Sequence, residues 1–251
     1  MFSLITFYDF ISFKMSGILE NIDRPMWIIL TVVFSIMGYL IGSVNFSVLI
    51  SKIKYHDDVR NHGSHNAGAT NMLRSYSVKD GVVVLLLDML KAVFTVLITQ
   101  AFVGEKAACI AGLFCIIGHC WPIYYKFKGG KGVSSALGMV IAIEPFTALV
   151  CTVVFVIIVV GTKYISLGSI AAAMFVPIFV DSLYPYTHRV IAEVKGESGV
   201  YGLKPDAFII IPMVALALIV VFKHRANIQR LIKGEENKFS LKKKKEGEEQ
   251  K

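Results

Sequence analysis

The chain has 251 residues, 55% of them hydrophobic, a formal charge of +8 and four cysteines. A mean hydropathy of +0.63, with the apolar residues gathered into long runs, excludes an ordinary soluble domain and points to a polytopic membrane protein. The basic residues sit in short loops and a tail beside those runs, which fits membrane orientation and argues against nucleic acid as a partner. Cys109, Cys115, Cys120 and Cys151 have no CxxC spacing and no His partner, so neither a disulfide nor a metal is expected.

In chain order, residues 1–25 form an N-terminal interfacial segment, since Met1 to Lys14 lacks the basic start and the cleavage site of a signal peptide. Residues 26–223 form the membrane domain. Its first predicted span is Met26 to Ile50, followed by a polar central loop, Ser51 to Lys79, in which Ala67 to Ser75 suits a short helix. Further spans are predicted over Gly81 to Val103, Ala107 to Ile123, Phe146 to Val160, the stretch after Ser169 ending near Asp181, and Ala207 to Phe222. Between them lies a short helix, Val133 to Ile143, broken at Glu144-Pro145 because proline lacks a helix donor and restricts its predecessor. Tyr184 to Asp206 is expected to be a mixed-charge loop. Residues 224–238 form a basic helix, and 239–251 a charged tail with the Lys242 to Lys245 run.

If the short helix crosses, seven crossings result. The central loop, the Lys126 to Gly132 loop, the Lys163 turn and the C-terminal tail then share one side, which carries most of the short-loop Lys and Arg and is therefore cytoplasmic. Asp88 and Lys91, at i and i+3 inside a span, should pair, because an isolated charge in hydrocarbon is costly. His119 suits either the site or a carbonyl partner, and His56, His62 and His188 read as surface residues.

Three polar stretches carry the chemistry. The central loop, Asp57 to Arg74, combines Arg60 and Arg74 with Gly63, Gly68, Ser64, Thr70 and three asparagines; glycines admit backbone N–H groups to an anion and arginine adds a bidentate fork. The same composition also suits a solvated loop of turn formers. Lys128-Gly129-Gly130-Lys131-Gly132 resembles a phosphate loop but lacks the Ser or Thr of a Walker A motif, so a basic interfacial turn is its alternative. On the tail helix His224, Asn227 and Arg230 recur at spacings of three near one face, an arrangement an amphipathic exit helix would share.

Taken as a set, Arg60 through Arg74, Gly118-His119 through Val133, and His224-Arg-Ala-Asn227-Ile-Gln-Arg230-Leu resemble the bacterial acyl-phosphate:glycerol-3-phosphate acyltransferases, the PlsY family, over nearly the whole chain. The resemblance implies an all-α membrane enzyme of seven transmembrane helices, one short, in the bacterial inner membrane, with its active site and C-terminus cytoplasmic. It implies transfer of a fatty acyl group from acyl phosphate to the 1-hydroxyl of sn-glycerol 3-phosphate, giving lysophosphatidic acid and phosphate without cofactor or metal. It further implies catalytic roles for Ser64, Arg74, Lys131, His224 and Asn227. Substrate contacts would come from Arg60, Gly63, Asn66, Gly68, Thr70, Asn71, Lys128, Gly129, Gly130, Gly132, Ser166 and Ser169. His65 stands where the family has Gly, Ser134-Ser135 where it has Ala-Thr, and Asn45 where it commonly has Pro; the last is expected to have little consequence. Partners are the two substrates and the lipid bilayer, and a monomer is compatible with all of this.

Because an acyl phosphate already carries a good leaving group, no acyl-enzyme is needed. The site has to gather two anionic head groups and stabilise an oxyanion. A small transporter of a phosphorylated solute is the rival reading; it should show an internal repeat and a midplane site, and no repeat is present. An acyl-CoA enzyme with a His-x4-Asp dyad is excluded, since no His is followed by Asp five positions on.

Overall fold

A computed structural model of the chain describes residues 23–195 and 204–239. The interfacial segment Met1 to Lys14 and the Lys242 to Lys245 run lie outside the described residues. Among these residues the backbone forms ten α-helices and no strand. They are α1 Arg24–Ser43, α2 Phe46–Tyr55, α3 Ala69–Ser75, α4 Val78–Val103, α5 Glu105–Cys120, α6 Val133–Ile143, α7 Pro145–Thr162, α8 Ile165–Lys195, α9 Ala207–Lys223 and α10 Arg225–Ile232.

The helix starts follow local chemistry. The Asp23 carboxylate accepts from the Met26 N–H at 3.0 Å with Pro25 in the first turn, and Ser77 Oγ accepts from the Asp80 N–H at 3.0 Å. Five stretches are long and apolar enough to cross a membrane: Arg24–Tyr55, Val78–Val103, Glu105–Tyr125, Pro145–Thr162 and Ile165–Val190. Helix α9 passes the same test only when taken with α10, from which it is bent by 57° at His224. Helix α6 is apolar but spans only 11 residues, about 16 Å at 1.5 Å per residue, against a hydrocarbon core of about 30 Å. The protein is an integral membrane helical bundle with the short helix where the Glu144-Pro145 break predicts it.

Two sequence expectations change. The first span is longer than Met26 to Ile50 and is interrupted: α1 stops at Ser43, and Asn45, fully buried, restarts the chain as α2 by accepting from the Val48 N–H at 3.1 Å. Asn45 also donates to the Ala67 carbonyl at 3.3 Å, tying the break to the central loop, so its replacement of proline does have a structural consequence. The expected loop from Tyr184 is instead helix through Lys195, continuous across Pro177 and Pro185. Tyr184 and Thr187 on that extension are buried and bond Glu105 at 3.2 Å and Glu144 at 2.8 Å, so tertiary partners carry the helix past its prolines.

Helices α1 and α5 touch backbone to backbone. A Cβ on Gly42 would lie 2.0 Å from the Cys115 carbonyl oxygen and one on Gly118 2.2 Å from that of Tyr39, the close approach that small residues permit between membrane helices. The four cysteines are free and buried in this interior. The main core joins α4, α5, α6, α7, α8 and α9 around Met139, Ile143, Val180 and Met213. His188, expected at the surface, is instead half-buried against Glu105 and Glu144, at 3.6 and 3.8 Å. This cluster sits at the end of α6 opposite Gly132.

Candidate active site

The central loop is folded by its own side chains before anything binds to it. Asn71, fully buried in the first turn of α3, accepts from the Ser64 N–H at 2.9 Å and donates to the Val59 and His62 carbonyls at 2.8 and 3.0 Å. Gly63 is required beside it: at φ +56° a Cβ would lie 2.4 Å from Asn71 Oδ1. His65 takes the left-handed conformation at φ +56° without glycine, held by a 3.0 Å contact of its Nδ1 with the Arg60 carbonyl; His is among the residues that tolerate this region.

Arg60 does not face the pocket. Its guanidinium forks onto Asp58 at 2.9 and 2.6 Å and donates to the Tyr125 and Lys128 carbonyls at 3.3 and 3.2 Å, clamping the central loop to the Lys126 to Gly132 loop. Lys128 and Gly129 line a separate surface cavity with Arg60 and Lys52. The backbones of Gly129 and Gly130 press on the end of α5, where a Cβ would meet the His119 carbonyl or ring at 2.1 Å. Their glycine character serves chain packing, whereas Gly132, at φ +83°, turns Lys131 into the pocket.

A cavity of about 300 Å³ is lined by residues from all three stretches and from the start of α8: Ser64, Asn66, Thr70 and Arg74; Lys131 and Gly132; Ser166 and Ser169; His224 and Asn227. Gly63 and Gly68 border it too, whereas Asn71 acts from behind by shaping the loop. Lys131 Nζ donates to Asn227 Oδ1 at 2.6 Å. Burial, together with the nearby Arg230 and Arg74 charges and against the pull of Glu236, pushes the Lys131 ammonium down to about 8. His224, at the bend outside the α9 span, contacts the Val220 carbonyl through Nδ1 at 2.8 Å. A carbonyl only accepts, so Nδ1 carries the proton and Nε2 is an unprotonated acceptor. Burial and the Lys131 charge hold this imidazole down at about 4, hence neutral at ordinary pH.

The sequence pattern had placed Arg230 on the face of His224 and Asn227, and it does border the pocket; Glu236 was missed. The Glu236 carboxylate accepts from Ser166 Oγ at 2.8 Å, Asn227 Nδ2 at 2.7 Å and Arg230 Nε at 2.8 Å, drawing the chain after α10 across to α8. Burial opposes its charge, and these three donors prevail, leaving it below the usual carboxylate range. An acid in a basic tail reads as a solvated charge, and only its spacing from Arg230 hinted otherwise.

Beneath the pocket, Lys91 Nζ donates to Asp88 Oδ1 and the Val44 carbonyl, each at 2.7 Å, and to the Gly42 carbonyl at 3.0 Å, and lies 3.1 Å from His119 Nδ1. The expected Asp88–Lys91 pair is present, and it fills carbonyls freed by the α1 break. Asp88 and His119 also line the pocket floor.

The sequence profile of the family described as Glycerol-3-phosphate acyltransferase matches residues 32–234. The chain belongs to this family. Among glycerol-3-phosphate acyltransferases, that of Finegoldia magna is 37% identical over 208 residues, covering 83% of this chain and 96% of the relative. That of Halalkalibacterium halodurans is 40% identical over 209 residues, covering 82% and 94%. The crystal structure of PlsY (YgiH), an integral membrane glycerol 3-phosphate acyltransferase, in its glycerol 3-phosphate form superposes with a TM-score of 0.70 at 33% identity, covering 84% of this chain and 96% of that one. Its lysophosphatidic acid form gives 0.68 at 31%.

Proposed function

We propose that this acyltransferase moves a fatty acyl group from acyl phosphate to the 1-hydroxyl of sn-glycerol 3-phosphate, releasing lysophosphatidic acid and inorganic phosphate. The observation that carries this reading is the junction of two cavities. The cationic pocket shares Leu85, Val133, Ser134, Phe155 and Ser169 with an almost wholly apolar groove of about 280 Å³ between α6, α7, α8 and α9. A donor with a charged head and an aliphatic tail fits that pairing, and the water-borne acceptor needs the polar half alone.

In the reaction the hydroxyl oxygen attacks the acyl carbonyl carbon, the bond from that carbon to the phosphate oxygen breaks, and phosphate leaves with the electron pair and takes up the hydroxyl proton. Arg74 and Lys131 neutralise the phosphates, Ser64 and Asn227 position oxygens, and His224 Nε2 accepts from the attacking hydroxyl and orients it. Thr70, Asn66, Ser166 and Ser169 complete the polar lining. Asn71 behind Ser64, Glu236 beside Ser166 and Asn227, and the Val220 carbonyl on His224 hold these groups in place, which is the preorganisation that charge stabilisation requires.

The short-loop cations gather at the pocket's end of the bundle, in the Lys52 to Arg74 stretch, Lys126 to Lys131, Lys163 and the Arg225 to Lys238 stretch. This supports seven crossings with α6 as the short one and a pocket facing the cytoplasm of a bacterial cell. A pocket at one end of the bundle argues against a transporter, whose site belongs near the midplane. The test is incubation of the purified protein with palmitoyl phosphate and labelled glycerol 3-phosphate. Labelled lysophosphatidate is expected; its absence, with label taken up into proteoliposomes instead, overturns the reading.

A further inference from the structure

The apolar groove has a measurable depth. It runs from Val133 to Val140 on α6, from Phe155 back to Ala148 on α7 and from Ser169 to Val176 on α8, about two helical turns or ~10 Å. One turn further on, Ile143, Val180 and Met213 are packed in the same core as Val140 and Val176 and are 2%, 0% and 0% exposed. They form a floor. An extended hydrocarbon advances about 1.3 Å per carbon, so roughly eight carbons reach it.

The groove is also open on one side. Its lip there is Leu85 on α4 and Val156 on α7, 40% and 48% exposed on the surface that faces lipid. Carbons beyond the floor therefore have an exit into the bilayer, where burial costs the protein nothing. Within the groove three buried wall positions are alanines: Ala136, one turn from Val133 near the mouth, Ala148, at the floor, and Ala173, about one turn from Ser169. Of these, Ala148 and Ala173 lie along the path beyond the mouth and would fill the channel if enlarged.

We propose that Ala148 and Ala173 set how much of the acyl chain the protein itself holds, about the first eight carbons, and that lipid carries the rest. This rests on the acyl-phosphate reading above. The test uses the purified full chain with labelled glycerol 3-phosphate and butyryl, octanoyl, dodecanoyl and palmitoyl phosphates. In the wild type kcat/KM should climb between four and eight carbons, by up to about fourfold per methylene, and then level off. Ala173→Leu should cut the octanoyl-to-butyryl ratio at least tenfold while butyryl phosphate stays within twofold of wild type. Ala148→Leu should move the levelling point to a shorter chain, and Val176→Ala should move it to a longer one.

If both alanine variants keep the wild-type chain-length profile, or lose every donor in equal proportion, the proposal is overturned. Should Ala173→Leu fail to fold, the opposite displacements expected of Ala148→Leu and Val176→Ala decide the matter alone. A wild type that acylates glycerol 3-phosphate from no acyl phosphate would refute the proposed reaction, whereas an active wild type with unmoved ratios refutes only the measuring role.

Discussion

Two of the buried groups of charged side chains among the described residues, one under the pocket and one toward the opposite end, are built differently. Under the pocket, the single Lys91 ammonium serves the Asp88 carboxylate and two backbone carbonyls at once, beside the His119 ring. Toward the other end, Glu105 and Glu144 converge on His188, and among the described residues no Lys or Arg pairs with either carboxylate. Glu105 Oε1, Glu144 Oε1, Thr147 Oγ1 and His188 Nε2 there lack a hydrogen-bond partner among the described residues. Each group holds a fully buried carboxylate, Asp88 in the first and Glu144 in the second, yet of the two only the first has its charge compensated by a dedicated cation and supports residues that line the pocket.

The largest effect expected from that contrast is on Lys91. Lys91→Met leaves Asp88 charged and buried without its counter-ion, and should cost about 3–5 kcal/mol of stability. Thermal unfolding in micelles reads it, and a wild-type midpoint would break the comparison. Next comes Lys131→Met, which should lower kcat/KM by about 10²–10³-fold because the ammonium acts on substrate charge, while loss of its bond to Asn227 Oδ1 should lower the unfolding midpoint far less than Lys91→Met does.

The same lysine predicts a pH dependence. Its pKa is depressed to about 8, so the ammonium is present below that pH, and kcat/KM should decline as pH rises through about 8. Neutral His224 is retained above about 4, placing the acid limb there. A pH profile of kcat/KM measures both limbs, and in Lys131→Met the alkaline one should vanish. The smallest effect is expected from Glu144→Gln: removing a buried carboxylate that has no cation should be neutral or stabilise by about 1 kcal/mol, with activity unchanged. A loss above about 2 kcal/mol would mean that the second group is compensated after all.

Much of the site is legible along the chain. Ser64, Arg74, Lys131, His224 and Asn227 stand out as polar residues of the right type in a hydrophobic sequence, and all of them line the pocket. Arg60 and Lys128 carry the same signal and lie elsewhere, because Asp58 occupies the Arg60 guanidinium and the chain turns after Lys128. Glu236 gives the reverse case, a residue with no distinctive local signal that three donors from α8 and α10 make central. The helix through Pro185 was likewise invisible, since proline chemistry is local and the Glu105 and Glu144 partners that carry the helix onward come from elsewhere.

By itself the sequence determined which stretches are apolar enough to span, the short helix before Glu144-Pro145 and the alternation that brings three cationic stretches to one end, because hydropathy, proline and glycine act through neighbours a few residues away. Only the tertiary structure decided which cations stay free for a ligand, how the α1 break is sealed by Lys91 and Asn45, and how deep the apolar groove runs. Those outcomes depend on whether a counter-charge, a carbonyl or a packed side chain arrives from a distant segment, and no local pattern encodes that arrival.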